Sequence, residues 1–208
     1  SFYNYELINR GTQTLFNTYF AQYVDADIGG STDDYVGCDV ARGLGFAYNG
    51  DAVDDGTGGQ TWGANPPAVG VDFFEGPYQD ADDLDNPLTT NIQNALDSAG
   101  IPYKGLGIGY GDGVADNERF GMRRFVYYNN SLNPINGEPQ VAAHFYNYMK
   151  GIWKNGAEML YGGNGVSGNG VLTGVPAQYM FPDDTDPFNW GTYGVAVTPW
   201  SEAVSYTH

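Results

Sequence analysis

The side chains best suited to chemistry in this chain are aspartates that crowd one glycine-containing stretch. Residues 25–39 read Asp-Ala-Asp-Ile-Gly-Gly-Ser-Thr-Asp-Asp-Tyr-Val-Gly-Cys-Asp. Calcium takes about six to eight oxygen ligands, and carboxylates in a flexible loop can turn several oxygens towards one point. We therefore expect a calcium site here, and the alternative is an exposed acidic turn that holds no ion. The candidate ligands are Asp25, Asp27, Asp33, Asp34 and Asp39.

Asp25 and Asp27 are the pair that we expect to share one ion. They follow residues 14–24, whose aromatic and β-branched content predicts a strand. Side chains two residues apart in a strand lie on the same face, so the two carboxylates would lie side by side. Asp33 or Asp34 and backbone carbonyls of the loop would complete the site.

Two further loops combine carboxylates with turn-forming residues. Residues 110–118 contain the spacing Asp-Gly-x-x-Asp-x-Glu, which resembles acidic loops of extracellular calcium modules but also occurs by chance. Residues 182–187 form an acidic turn between two prolines. The candidate metal ligands in these loops are Asp112, Asp116, Glu118, Asp183, Asp184 and Asp186. A fourth acidic run, residues 80–86, lacks glycine and is typical of a solvated surface turn.

The charge of the chain excludes several classes of partner. Its 25 acidic and 8 basic side chains give a formal net charge of −17, which repels phosphate backbones and anionic lipids. No apolar run approaches the ~18 residues needed to cross a bilayer. We expect neither nucleic-acid binding nor membrane insertion. Calcium is the expected cofactor, because bound cations relieve the repulsion between carboxylates, and glycans or other surface proteins are the further candidate partners.

Catalytic side chains are scarce. The two histidines are His144 and His208, and no glycine-rich phosphate loop is present. The lone cysteine, Cys38, is best interpreted as a small buried hydrophobic residue. A pair of carboxylates can hydrolyse a glycoside, yet nothing in the sequence singles out such a pair. We therefore expect no catalytic residues, and a carboxylate-dependent glycoside hydrolase remains an alternative.

Tryptophans in loops suggest a further alternative, a carbohydrate-binding module. Trp62, Trp190 and Trp200 stand in segments rich in glycine and proline. An exposed ring beside Asn and Asp side chains suits a sugar, whereas a ring buried beneath its loop belongs to the core.

Segments with strand periodicity outnumber helical ones. Strands are predicted at residues 2–10, 14–24, 40–48, 69–74, 120–128 and 194–197. The first two would form a hairpin around residues 11–13. Residues 140–156 predict an amphipathic helix, and residues 88–99 a second short one. We expect a mainly β fold, an antiparallel β-sandwich of jelly-roll type with long Gly/Asp-rich loops. It would form a single domain over residues 1–208, a fragment of a longer protein.

Several segments together resemble a known class of proteins. They are residues 5–11, 23–29, 33–39, 45–51, 66–74, 117–125 and 181–186. The resemblance is to an uncharacterised segment of large secreted surface proteins of Bacteroidota-type bacteria, adhesin-like cargo of type IX secretion. It implies an extracellular or cell-surface location and no particular activity. It also makes Ser98, in Asp-Ser-Ala at residues 97–99, a candidate for the O-glycosylation known in such bacteria. We expect a non-catalytic, calcium-stabilised extracellular module of a surface adhesin or filament protein.

Overall fold

The computed structural model describes residues 1–79, 81–97, 107–168 and 170–205. The strands are β1 (Asp34–Asp39), β2 (Leu44–Asn49), β3 (Val53–Asp54), β4 (Gly63–Ala64), β5 (Ala68–Asp72), β6 (Gly107–Ile108), β7 (Arg119–Phe120), β8 (Leu160–Gly162) and β9 (Val171–Pro176). The helices are α1 (Ile92–Asp97), α2 (Ala142–Met149), α3 (Glu202–Ser205) and a 3₁₀ turn at Trp190–Thr192. The fold is mainly β with few short helices, as the sequence predicts.

The largest sheet contains three antiparallel strands in the order β1-β2-β5. In β2 the small residues Gly45 and Ala47 alternate with the aromatic residues Phe46 and Tyr48, and Gly45 has a packing role. A Cβ atom at Gly45 would lie 2.8 Å from the ring of Phe125, so only glycine lets that ring lie against the sheet. The remaining strands pair in antiparallel two-stranded ribbons, namely β3-β4, β6-β7 and β8-β9.

The core consists of two hydrophobic clusters that share Phe125. The first contains Cys38, Val40, Ala95, Tyr110, Tyr179 and Trp190. The second contains Trp153, Met159, Tyr161, Val166, Ala177, Met180, Phe181 and Trp200. Cys38 is fully buried and its Sγ donates to the carbonyl of Met180, which agrees with its interpretation as a core residue.

Both predicted helices are present in shorter form. α2 occupies the middle of residues 140–156 and ends before Gly151, which has a left-handed φ of 74°. α1 lies within residues 88–99. Among the described residues, no helix is long and apolar enough to cross a membrane.

The two strands predicted nearest the N-terminus are not formed. Residues 1–24, here called the N-terminal arm, contain no strand. The arm nevertheless turns back on itself, because Asn9 Nδ2 donates to the carbonyl of Gln13 and the rings of Tyr5 and Phe20 lie 5.9 Å apart. The arm is exposed, and a two-stranded hairpin without a covered face is marginally stable, which explains why no ladder forms.

Three other predicted strands are shorter than expected or missing. Residues 40–43 form the turn before β2, because the Asp39 carboxylate accepts the backbone N–H of Arg42. β7 ends at Phe120, although Phe125 makes an isolated bridge to Tyr179. Residues 194–197 contain no strand.

Candidate functional site

Three segments meet around the buried carboxylate of Asp54, which is 1% exposed. Its Oδ1 accepts the backbone N–H of Gly30 at 2.9 Å, and its Oδ2 accepts the backbone N–H of Trp62. Gly29 has a φ of 77°, and a Cβ atom there would lie 1.8 Å from Asp54 Oδ2. The glycine therefore allows the loop before β1 to close over the residues that follow β3.

Asp33 and Asp34 hold the same loop from the other side. Asp34 Oδ2 accepts the backbone N–H of Ile28 at 2.7 Å. Asp33 Oδ2 accepts the backbone N–H groups of Asp55 at 3.3 Å and Gly56 at 3.1 Å. Each aspartate thus uses one carboxylate oxygen to bind the backbone of a neighbouring segment.

The second oxygen of each aspartate is buried without a hydrogen-bond partner, and so is the amide oxygen of Asn49. Asn49 is 7% exposed and lies directly opposite Asp34 in the β1-β2 register. Opposed residues of antiparallel strands share a face with their Cβ atoms about 5 Å apart, so the side chains of Asp34 and Asn49 lie together. Asp33 is the neighbour of Asp34 along the chain, and its charge acts on the Asp34 carboxylate. We call Asp33, Asp34 and Asn49 the acidic-loop site.

The electrostatics of the acidic-loop site favour a positive ligand. Burial raises the pKa of Asp34, and the nearby charges of Asp33, Asp54 and Asp27 raise it further, against a lowering by the Ile28 N–H. Buried acceptors without partners cost about 1–3 kcal/mol each. A hard cation would satisfy such oxygens and reduce the repulsion between the carboxylates.

The composition of the site is mixed, with two carboxylates and one amide. Within residues 1–79, 81–97, 107–168 and 170–205, no three His, Cys, Asp or Glu side chains form a ready metal-binding group. Calcium accepts amide and backbone carbonyl oxygens as well as carboxylates. The residues present therefore fit calcium better than a metal that requires His or Cys ligands.

Asp25 and Asp27 are both exposed, and they lie in a segment without strand structure. The strand from which their alternation was inferred is therefore not formed, and their role as ligands stays a prediction. Asp27 still lies close enough to raise the pKa of Asp34. Asp39 is engaged elsewhere, because it is 7% exposed and forms an ion pair with Arg42.

The second predicted loop, residues 110–118, interlocks with the acidic run at residues 82–86. Asp116 Oδ1 accepts the backbone N–H groups of Asp82 at 2.7 Å and Asp83 at 3.0 Å. Glu118, 1% exposed, accepts the backbone N–H of Asn86 at 2.6 Å. The carboxylates here bind backbone groups, and sequence reasoning missed this pairing because no local pattern connects loops about 30 residues apart.

Other carboxylates of these two loops also accept backbone N–H groups. Asp85 accepts the backbone N–H groups of Gly111 and Gly113, each at 2.7 Å. Asp112 accepts the backbone N–H of Val114 at 2.9 Å and the side-chain amide of Asn117 at 2.9 Å.

The third predicted loop separates its three aspartates. Asp183 and Asp184 are exposed. Asp186 accepts the backbone N–H groups of Trp190 at 2.9 Å and Gly191 at 2.6 Å. Burial raises the pKa of Asp186, while those two hydrogen bonds lower it. Asp186 therefore holds the 3₁₀ turn in place.

The three tryptophans also have different surroundings. Trp190 and Trp200 are 9% and 4% exposed and belong to the core, so neither presents a ring face to a sugar. Trp62 is 65% exposed. Ser98 lies outside the described residues.

Glu202 is a buried carboxyl group that sequence reasoning missed. It is 4% exposed, accepts the backbone N–H of Val36, and has its pKa raised by burial to about 7, against a lowering by that hydrogen bond. A cavity of about 290 Å³ lies nearby, lined by Val36, Gly37, Phe46, Tyr48, Phe181, Asp183 and Ser201. A single glutamate far along the chain from β1 offers no spacing that could have indicated this position.

No family model matches the chain, and no similar protein was found among curated proteins or among solved structures.

Proposed function

We propose that the chain is a non-catalytic, calcium-stabilised extracellular module of a surface adhesin or filament protein. The observation that carries the calcium part is the set of buried oxygens without partners on Asp33, Asp34 and Asn49. These oxygens come from the loop before β1 and from the end of β2. A calcium ion bound there would tie the loop to the sheet.

The charge of the chain supports the same proposal. Repulsion among carboxylates at a net charge of −17 opposes a compact state unless cations offset it. Extracellular calcium modules bind the ion with a Kd of about 0.1–1 mM, a range suited to a fluid rich in calcium. The surface location and the type IX secretion route rest on the sequence resemblance.

The predicted β-sandwich of jelly-roll type is part of this proposal. Its support is that one face of β1 contacts both core clusters, Cys38 in one and Val36 in the other. Alternate residues of a strand share a face. β1 therefore packs against both clusters from one side, as a strand in one layer of a sandwich would.

Thermal unfolding with excess calcium and with a chelator tests the proposal. We expect calcium to raise the Tm of the parent chain, and we expect Asp34→Asn to lose most of that increase. The matched control is Asp184→Asn, which removes the same charge from an exposed position and should keep the increase. Superimposed melting curves of the parent in calcium and in chelator would refute the calcium part.

A second candidate function, carbohydrate binding, is favoured by the position of Trp62. Its indole is 65% exposed, and its backbone N–H is bonded to Asp54 beside the acidic-loop site. A Cβ atom on Gly29 would lie 2.9 Å from Trp62 Cδ1, so one edge of the ring is packed while much of the ring is open. Glycan binding by the parent that disappears in Trp62→Ala would support this function. If the parent binds no glycan on an array, the displayed glycans are excluded as ligands.

A further inference from the structure

The N-terminal arm carries an unusual density of exposed apolar side chains. Phe2 is 88% exposed and Phe16 is 83% exposed. Exposed large apolar residues of the arm are Phe2, Tyr3, Tyr5, Leu7, Ile8, Leu15, Phe16, Tyr19, Phe20, Tyr23 and Val24. With roughly 150–250 Å² per aromatic side chain, their combined exposed area is on the order of 1,000 Å².

An area of this size points to a partner. Each partner of a standard interface contributes about 800 Å². The arm alone therefore offers the area that a stable dimer needs.

The arm is also electrically unlike the remainder of the chain. Its charged side chains are Glu6 and Arg10, which cancel, so the 24 acidic and 7 basic side chains of residues 25–208 carry the whole net charge of −17. Two copies of the chain repel each other through this net charge, and the repulsion is weaker where a neutral surface lies between them. The arm is such a surface.

The same chain contains an uncovered sheet edge that can receive an extended segment. β5 is the outer strand of the three-stranded sheet, and all five of its residues are exposed. Val69 and Val71 lie on the same face as Ala47 and Cys38, which are 4% and 0% exposed. Yet the two valines are 42% and 37% exposed. The side chains that bury this face over β1 and β2 therefore do not extend over β5.

The arm already lies beside this edge in its own chain. The ring of Phe2 stacks on Phe74 at 5.9 Å, and the ring of Phe20 lies 6.5 Å from Phe73, just beyond the end of β5. Strand periodicity in the arm and unpaired backbone groups on an edge strand are the two components of β-strand addition.

We propose that the arm of one copy pairs with β5 of a second copy, and that the reciprocal pairing closes a symmetric dimer. Each copy supplies one strand and one edge, so both arms and both β5 edges are paired in contacts related by one two-fold axis. The proposal is independent of calcium binding.

Sedimentation velocity over a range of concentrations tests the dimer. Phe16→Asp adds a charge to the arm, and Val69→Lys adds one to the receiving edge. Leu132→Asp is the matched control, because Leu132 is 79% exposed and lies outside both surfaces. We expect the parent and the control to dimerise and both surface variants to sediment as monomers.

The dimer fraction in sodium chloride and in chelator distinguishes this pairing from association by opposite charges and from association through calcium. Because two bodies of charge −17 repel, the dimer fraction should rise as sodium chloride screens them, whereas binding between opposite charges would weaken. The dimer should persist in a chelator, so loss of the calcium site would not remove it.

A parent that stays monomeric at every concentration and salt level would overturn the proposal. So would a dimer that survives either Phe16→Asp or Val69→Lys. Phe16 lies in an exposed segment without strand structure, so its substitution tests the interface without threatening the fold.

Discussion

Two acidic regions of this molecule look alike in sequence and differ in structure. In the interlocked loops at residues 82–86 and 110–118, aspartate and glutamate oxygens accept backbone N–H groups, and the buried oxygen described there without a partner is the Asn117 amide. In the acidic-loop site, both Asp33 and Asp34 keep one buried carboxylate oxygen without a partner. The two regions have a similar density of carboxylates, so the proposal of a cation at the acidic-loop site rests on its unpartnered carboxylate oxygens and not on that density.

The largest expected effect concerns the interlocked loops. Glu118→Ala removes a buried side chain and leaves the N–H of Asn86 without its acceptor. We expect a loss of about 3 kcal/mol in the free energy of unfolding, the same in calcium and in chelator. Urea unfolding in both conditions measures it. A loss confined to calcium would mean that Glu118 is a metal ligand, and the contrast between the two regions would disappear.

The next effect should change sign with calcium. In chelator, Asp34→Asn removes repulsion from Asp33, Asp54 and Asp27, so the variant should be at least as stable as the parent. With calcium at one hundred times the Kd, the parent gains ~2.7 kcal/mol and the variant gains little. Urea unfolding in the two buffers measures the difference in unfolding free energy between the variant and the parent. The same difference in both buffers would contradict this prediction.

These two regions also show how far the sequence could predict the molecule. The β class followed from aromatic and β-branched segments separated by glycine. Composition also pointed to the loop at residues 25–39, where we propose the calcium site. The role of Asn49 could not be predicted, because it depends on the register that sets Asn49 against Asp34. Asp54 reaches the site only through the closure of the β3 segment over Gly30.

In the N-terminal arm the sequence predicted structure that does not form. Its apolar periodicity predicts a hairpin, and the chain does fold back between Tyr5 and Phe20. Periodicity reports which faces are apolar, but a ladder requires a surface that covers one of them. The arm stays largely exposed in spite of the ring contacts of Phe2 and Phe20, so the pattern predicted the reversal of the chain but not a strand pair.

Glu202 provides a third kind of buried carboxyl group, held by one backbone donor. Its pKa is raised from 4.5 to about 7, so the folded state binds the proton more tightly than the unfolded state. The resulting stabilisation is complete below pH 4.5 and is lost as the pH rises to about 7. We expect roughly 1–3 kcal/mol over this window.

The Glu202→Gln variant isolates that contribution. An amide oxygen can still accept the N–H of Val36, but it does not titrate. The pH profile of its unfolding free energy should therefore be flatter than that of the parent between pH 4.5 and 7. Parallel profiles would show that Glu202 does not titrate in this range.

The smallest expected effect concerns Asp112, an exposed member of the interlocked loops. Asp112→Asn keeps an oxygen able to accept the Val114 N–H, so the change in unfolding free energy should stay within about 0.5 kcal/mol. Its response to calcium should equal that of the parent. A calcium response that falls with this substitution would place an ion in the second region.

Calorimetric titration of the chelator-treated chain with calcium would show whether Asp33, Asp34 and Asn49 hold the ion. We expect saturable binding by the parent, much weaker binding by Asp34→Asn, and binding by Asp112→Asn that matches the parent. Absence of saturable binding by the parent, or equal binding by Asp34→Asn, would contradict the assignment of calcium to Asp33, Asp34 and Asn49.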